Sequence, residues 1–174
     1  NYKIDYRKPF KYFEDAKINN EEVVMVTNHL KEYIDNKKLS IFPISGISKK
    51  MTIHCSENGY FSKYESDRYG FNNNDLNWDK DEIDYLFIGD SFVHGACVNH
   101  ESTIVSKFKT FSDNNLNTIN LGYSGSGPLI QLISLKEYSV NQSIKNIIWF
   151  FYEGNDLANL DEEIKNNILN KYFI

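Results

Sequence analysis

The sequence has no apolar run long enough to cross a membrane. A spanning helix needs about 20 consecutive apolar residues, whereas the longest run here covers only residues 147–152. Basic residues are also in the minority, 19 against 24 acidic ones, and they are scattered along a chain of net charge −5. Nucleic-acid-binding surfaces need clustered Lys and Arg. We therefore expect neither a membrane-spanning segment nor a nucleic-acid partner.

Cysteine is scarce, with Cys55 and Cys97 the two in the sequence. There is no C-x-x-C pair and no His at ligand spacing, so we predict no metal site and no cofactor. Two free thiols are favoured over a disulfide, and the sequence leaves the pairing open. A disulfide would indicate an oxidising compartment. An extracytoplasmic location is favoured over the cytoplasm, but the sequence does not identify the compartment.

The pattern of the chain changes near residue 82. Residues 1–81 read as an N-terminal helix and extended pieces that pack on the core, with an amphipathic helix expected over 20–37. Residues 82–174 alternate apolar strands with helices, which predicts the α/β class with a parallel sheet. The third strand is apolar throughout, as in a strand covered on both faces. The predicted strands are 85–88, 118–121 and 147–152, and the predicted helices are 103–111, 128–138 and 161–170.

Glycine-containing polar clusters follow each of the three predicted strands. In parallel sheets, ligands bind outside the carboxyl ends of the strands. Ser91, in a tight turn after Gly89, suits a nucleophile for acyl transfer. The N–H groups of Ser91 and Gly125 and the side-chain amide of Asn155 suit the donors that such a reaction needs at its oxyanion.

This order of motifs resembles the first three blocks of the SGNH (GDSL-like) serine hydrolases, over about residues 83–160. The resemblance implies a three-layer α/β/α, flavodoxin-like fold. It also implies that Ser91 is the nucleophile and that Gly125 and Asn155 complete the oxyanion hole, with Gly122 as a weaker rival of Gly125. The supporting motif positions are Gly89, Asp90, Gly154 and Asp156; we expect Asp90 to order the nucleophile turn and Asp156 to cap its loop or the next helix.

The general base of that family is missing from the sequence. In the family it is a His with an Asp three residues before it, near the C-terminus of the domain. None of the four histidines has an Asp at that position, and none follows the third strand. We expect the domain to be truncated at its C-terminus rather than degenerate. His94 would lie beside the pocket mouth, where a surface or packing role is favoured over a substitute base.

The resemblance implies an ester hydrolase with an acyl-enzyme intermediate on Ser91. We expect short acyl groups, such as O-acetyl on carbohydrate, so the partner is a small-molecule or carbohydrate ester. A polysaccharide O-acyltransferase using the same site and a non-catalytic carbohydrate-binding or scaffold domain remain alternatives. An α/β-hydrolase is disfavoured because neither Ser91 nor Ser124 stands in a G-x-S-x-G motif. The oligomeric state stays open.

Overall fold

The computed structural model describes residues 4–26, 33–34, 39–112 and 115–173. Within them the chain forms two three-stranded sheets, one in each half of the sequence. The helices are α1 (Pro9–Ile18), α2 (Ser91–His94), α3 (Ile104–Ser112), α4 (Pro128–Ser139) and α5 (Asp156–Glu163). The strands are β1 (Val23–Met25), β2 (Met51–Ile53), β3 (Lys63–Glu65), β4 (Glu82–Ile88), β5 (Thr118–Asn120) and β6 (Ser143–Trp149), and 3-10 turns occupy Asp75–Asp79, His100–Ser102 and Leu169–Tyr172.

The N-terminal sheet corrects one prediction. The segment predicted to start the helix over 20–37 contains β1, which pairs in parallel with β2, while β2 pairs antiparallel with β3. Val23 is buried against Ile53 and Ala16. This tertiary burial, and the strand preference of the β-branched pair Val23 and Val24, outweigh the helical spacing. Residues 27–32 and 35–38 of that predicted helix lie outside the described residues.

The C-terminal sheet is parallel throughout, as the sequence predicts, and its strand order is β5-β4-β6. The mixed α/β class is therefore confirmed. Helices α3 and α4 lie where they are expected. The last predicted helix is misplaced: α5 begins at Asp156 and ends at Glu163, and the chain then continues in turns. It starts early because the Asp156 carboxylate accepts the Tyr152 N–H at 2.8 Å and closes the turn directly after β6.

Strand β6 is not covered on both faces, so that prediction is wrong for the described chain. It is an edge strand, and Ile147 and Trp149 are each about half exposed, at 50% and 52%. Together with Leu132 and Leu135 of α4 they line an open apolar groove. A continuous apolar run indicates that burying the strand would be favourable, but it does not show that another segment covers both of its faces.

The central strand β4 contacts helices through two different sets of side chains. Leu86 and Ile88 belong to a cluster with Leu135 of α4. Phe87, which alternates with them, belongs to a second cluster with Val93 of α2 and Val105 of α3. Successive strand residues point to opposite faces, so the two clusters anchor the end of β4 from both sides.

The two halves of the chain are joined by a shared core and by a covalent bond. Tyr64 of β3 packs in one cluster with Tyr123 and Leu129 from the C-terminal half. Cys55 and Cys97 form a disulfide with a Cα–Cα distance of 4.6 Å, so the prediction that favoured two free thiols is wrong. In the part of the chain that the structure describes, no helix could span a membrane and no cluster of three or more His, Cys, Asp or Glu could hold a metal ion.

Candidate functional site

The three predicted clusters meet at the carboxyl edge of the C-terminal sheet. The Gly89 carbonyl, at the end of β4, accepts the Tyr123 N–H at 3.2 Å and the Ser126 hydroxyl at 3.1 Å. These bonds join the turn after β4 to the loop after β5. On the other side, the Phe92 ring lies 5.3 Å from the ring of Tyr152, which follows β6. The sequence placed the clusters together correctly, because parallel strands end on one edge.

The turn that carries Ser91 is held by Asp90. The buried Asp90 carboxylate caps α2 by accepting the Phe92 N–H at 3.0 Å, the ordering role expected of it. Ser91 is the first residue of α2 and is half-buried. Its hydroxyl points to the other Asp90 oxygen at 3.5 Å, longer than an ordinary O–H···O bond. Gly89 permits the close turn, since a Cβ there would lie 2.5 Å from Val93 Cγ2.

Residues 122–127, here called the glycine loop, leave one amide without an acceptor. Gly125 is exposed, has a φ of +83°, and its N–H finds no acceptor among the described residues. Such an amide is available to a ligand, as an oxyanion-hole donor must be. The other amides of the loop are all used: Gly122 donates to Asn120 Oδ1, Tyr123 to Gly89 O, Ser124 to His94 Nδ1, Ser126 to Tyr123 O and Gly127 to Glu163 Oε1.

Gly122, the weaker rival, has a packing role. It is buried, and a Cβ there would lie 2.6 Å from the backbone nitrogen of His94 and 2.6 Å from Val93 Cβ. Its glycine identity is what lets α2 rest against the glycine loop. Its amide is already bonded to Asn120, so Gly125 fits the donor role better.

The segment after β6 brings Asn155 to the same edge. Asn155 occupies the N-cap position of α5, but its side chain makes no capping bond and its Oδ1 is buried without a partner in the described structure. The side chain is thus not used to hold the helix. Asp156 caps the preceding turn through Tyr152, and burial raises the pKa of its carboxyl. Gly154 is exposed, and a Cβ there would meet the Tyr152 ring at 2.6 Å.

No described imidazole contacts Ser91. His94 is fully buried behind the glycine loop rather than at the pocket mouth. Its position therefore fits a packing role and not a surface one. His54 is buried beside it, and their rings are 4.3 Å apart. His100 bonds Asn72 at 2.9 Å. His29 lies outside the described residues.

Glu163 is a residue of the site that sequence reasoning missed. Its buried carboxylate accepts the backbone N–H groups of Gly127, Leu129 and Ile130 at the start of α4. A helix N-terminus favours such an anion, but burial is the larger effect and raises the pKa of Glu163 to about 7. Pro128 at the start of α4 marks that helix N-terminus in the sequence, but nothing marks a carboxylate more than thirty positions away as its partner.

The arrangement contains a candidate nucleophile and candidate hydrogen-bond donors for acyl transfer. A serine hydroxyl sits on a tight turn, the Ser91 and Gly125 amides have no acceptor among the described residues, and an uncommitted Asn side chain follows the neighbouring strand. The described residues hold no group that would serve as a metal centre. No protein-family model, no curated protein and no solved structure matches this chain.

Proposed function

We propose that this protein is a serine ester hydrolase of the SGNH type, with Ser91 as its nucleophile. The observation that carries the proposal is the Gly125 amide, the one N–H of the glycine loop with no acceptor in the described structure. It lies in a loop bonded to Gly89, two residues before Ser91. An open amide in a loop that is bonded to the Ser91 turn is what stabilisation of a tetrahedral oxyanion requires.

The proposed reaction proceeds through an acyl-enzyme. The Ser91 hydroxyl attacks the ester carbonyl carbon while a base removes its proton, and the negative charge that develops on the carbonyl oxygen accepts hydrogen bonds from Ser91 N–H, Gly125 N–H and the Asn155 side-chain amide. The alcohol leaves with a proton, and water then releases the acid and returns the proton to Ser91. This chemistry requires an imidazole base from outside the described residues, because a serine without one is a poor nucleophile at neutral pH.

The packing around β4 supports the three-layer, flavodoxin-like arrangement within this proposal. The Leu86 cluster involves α4, and the Phe87 cluster involves α2 and α3. The strand order β5-β4-β6 places β4 in the centre, so the chain adds the next strand on one side of β4 and the following strand on the other. That point of reversal is where open α/β sheets bind ligands, and Ser91 directly follows β4.

For the substrate we propose a short acyl ester, with carbohydrate as the alcohol. The Phe92 and Tyr152 rings near Ser91 are exposed and lie against each other. Such rings offer apolar area to a ligand while the groups around them stay polar, which supports a ligand with both an apolar and a polar face. The preference is tested by comparing acetyl with long-chain acyl esters of one alcohol. Faster cleavage of the long-chain ester would contradict the substrate class and leave the role of Ser91 intact.

The proposal is tested on the protein expressed from its complete gene, with acetyl ester hydrolysis as the assay. S91A is expected to abolish turnover. N155A removes one oxyanion donor and is expected to lower kcat about 10²- to 10³-fold with little change in KM. S112A, which alters an exposed serine at the end of α3, is the matched control and should keep full activity. Equal activity of S91A and the wild type would overturn the assignment.

A further inference from the structure

Four buried side chains that the proposed reaction does not use form a continuous hydrogen-bonded chain behind the glycine loop. We call it the histidine chain: His54, Ser124, His94 and Tyr64, with exposures of 4%, 6%, 0% and 6%. Ser124 Oγ lies 3.0 Å from His54 Nε2 and 3.0 Å from His94 Nδ1. His94 Nε2 lies 2.8 Å from the Tyr64 hydroxyl. The backbone N–H of Ser124 also donates to His94 Nδ1 at 3.0 Å.

These contacts define where the protons are. A backbone N–H is always a donor, so His94 Nδ1 is an unprotonated acceptor and the neutral ring carries its proton on Nε2, which donates to Tyr64. When the Ser124 hydroxyl also donates to this nitrogen, 3.0 Å away, it shares the single Nδ1 lone pair with the Ser124 N–H. His54 Nε2 then donates to Ser124 Oγ, and His54 Nδ1 is an acceptor that is buried without a partner in the described structure, as Asn155 Oδ1 is.

The histidine chain spans the two elements that carry the amides of the proposed oxyanion hole. His94 lies in α2, three residues after Ser91, and Ser124 directly precedes Gly125. The two bonds between His94 and Ser124 therefore connect the Ser91 turn to the glycine loop. The ring of Tyr123, the residue before Ser124, also stacks on the His94 ring, with the ring centroids 4.8 Å apart.

We propose that His94 is a positioning residue for the oxyanion hole: it fixes the Gly125 amide relative to Ser91 by accepting the Ser124 N–H at Nδ1, which sets its tautomer, while its Nε2–H donates to Tyr64. This inference rests on the proposed function, since the position of Gly125 matters to catalysis only if Ser91 is acylated. His94 itself does not touch the substrate.

The disulfide strengthens this arrangement. Cys55 is the residue after His54, and Cys97 lies three residues after His94. The bond thus fixes the backbones on which both imidazoles are carried. Both rings are also kept neutral by burial, which lowers the pKa of His54 to about 4 and the pKa of His94 well below its ordinary value, the latter with help from His54. A neutral ring is what the acceptor role at Nδ1 requires.

The test compares H94N with H94L in the protein expressed from its complete gene. Asn can place an acceptor oxygen near the Nδ1 position, whereas Leu fills the space without one. Two quantities are measured: hydrogen exchange of the Ser124 and Gly125 amides, and the rate of Ser91 acylation by an activated acetyl ester. H100L is the matched control, because His100 bonds Asn72 and not the glycine loop.

We expect H94L to lose the protection of the Ser124 amide and to acylate about a hundredfold more slowly, as for a lost oxyanion donor. H94N should keep the protection and most of the rate, and H100L should match the wild type. Unchanged protection and rate in H94L would overturn the inference. If protection is lost but wild-type Ser91 is never acylated, the proposed function fails while the structural role of His94 stands.

A second variant keeps the test decisive if H94L does not fold. Y64F leaves His94 in place but removes the hydroxyl that accepts its Nε2–H. Its expected effect lies between those of H94N and H94L, with a faster exchange of the Ser124 amide. Wild-type exchange and acylation in Y64F would contradict the part of the inference in which Tyr64 holds the His94 ring against Ser124.

Discussion

At the scale of single residues, the site depends on which backbone N–H groups find an acceptor. The Glu163 carboxylate accepts the N–H groups of Gly127, Leu129 and Ile130. The N–H of Gly125, which lies between β5 and these residues, is not donated to any described group. A satisfied amide holds the loop in place, whereas an open one is free for a ligand. Glu163 therefore contributes to the site without lying on its surface.

E163Q is expected to destabilise the fold by about 1–3 kcal/mol. The substitution replaces one acceptor oxygen by an NH₂ donor, so at least one buried amide at the start of α4 loses its acceptor. Urea unfolding at pH 8 measures the change. The control E153Q, at an exposed position after β6, should alter the free energy of unfolding by less than about 0.5 kcal/mol. Equal stability of E163Q and the wild type would contradict the role of Glu163.

The burial of His54 predicts a loss of stability in mild acid. Its pKa is about 4 in the fold and near 6.5 when unfolded, so between these values the unfolded chain binds the proton and the folded chain does not. The contribution of His54 to the free energy of unfolding therefore falls by about 1.4 kcal/mol per unit as the pH falls from 6.5 towards 4. The titratable groups facing His54 are His94 of α2 and Tyr64 of β3, and Tyr123 and Asp67 lie near Tyr64.

The measurement compares wild type with H54Q by urea unfolding at pH 7 and pH 5. Gln retains a donor towards Ser124 but does not titrate, so the wild type should lose about 2 kcal/mol more than H54Q. The comparison is needed because Glu163 acts in the opposite direction: its raised pKa of about 7 makes the fold more stable as the pH falls towards 4.5. The same loss in both proteins would show that His54 is not buried in its neutral form.

The residues of the site divide into those that the sequence indicates and those that it cannot. Ser91, Gly125 and Asn155 were predicted because each follows a strand, and strand ends can be read from apolar runs. Glu163 and His54 were missed because their partners lie far along the chain, 70 positions away for His54 and Ser124. Such contacts exist only once the fold has formed.

At the scale of elements, the site depends on how closely α2 rests against the glycine loop. Gly122 allows this approach, since any Cβ would overlap the backbone of His94 and the Val93 side chain.

The apolar periodicity of each segment explains which elements the sequence predicts well. Strands β4 and β5 and helices α3 and α4 have clear apolar periodicity, whereas β1 looks helical in sequence and becomes a strand through its contacts with Ile53.

G122A is expected to destabilise the protein by about 1–3 kcal/mol, because the added methyl group overpacks the α2 contact. G125A has open space but a positive φ, so its cost is about 1 kcal/mol from backbone strain alone. The two free energies of unfolding, measured in urea, separate a packing glycine from an exposed one. A larger loss in G125A than in G122A would contradict this division of roles.

At the scale of the whole molecule, the disulfide Cys55–Cys97 ties the N-terminal sheet to the turn after α2. A cross-link that closes a loop of 42 positions is expected to stabilise the fold by about 2–4 kcal/mol, chiefly by restricting the unfolded chain. The variant C55S/C97S should lower the free energy of unfolding by that amount. Identical unfolding of this variant and the oxidised wild type would show that the bond is absent or without effect in solution.

The central claim is that Ser91 is an activated nucleophile, and covalent labelling tests it most directly. We would treat the protein expressed from its complete gene with a fluorophosphonate and locate the adduct by peptide mass spectrometry. We predict a single adduct, on Ser91, that is absent from S91A and present in S112A. A folded wild-type protein that carries no adduct on Ser91, or S91A labelled to the same extent, would contradict the assignment.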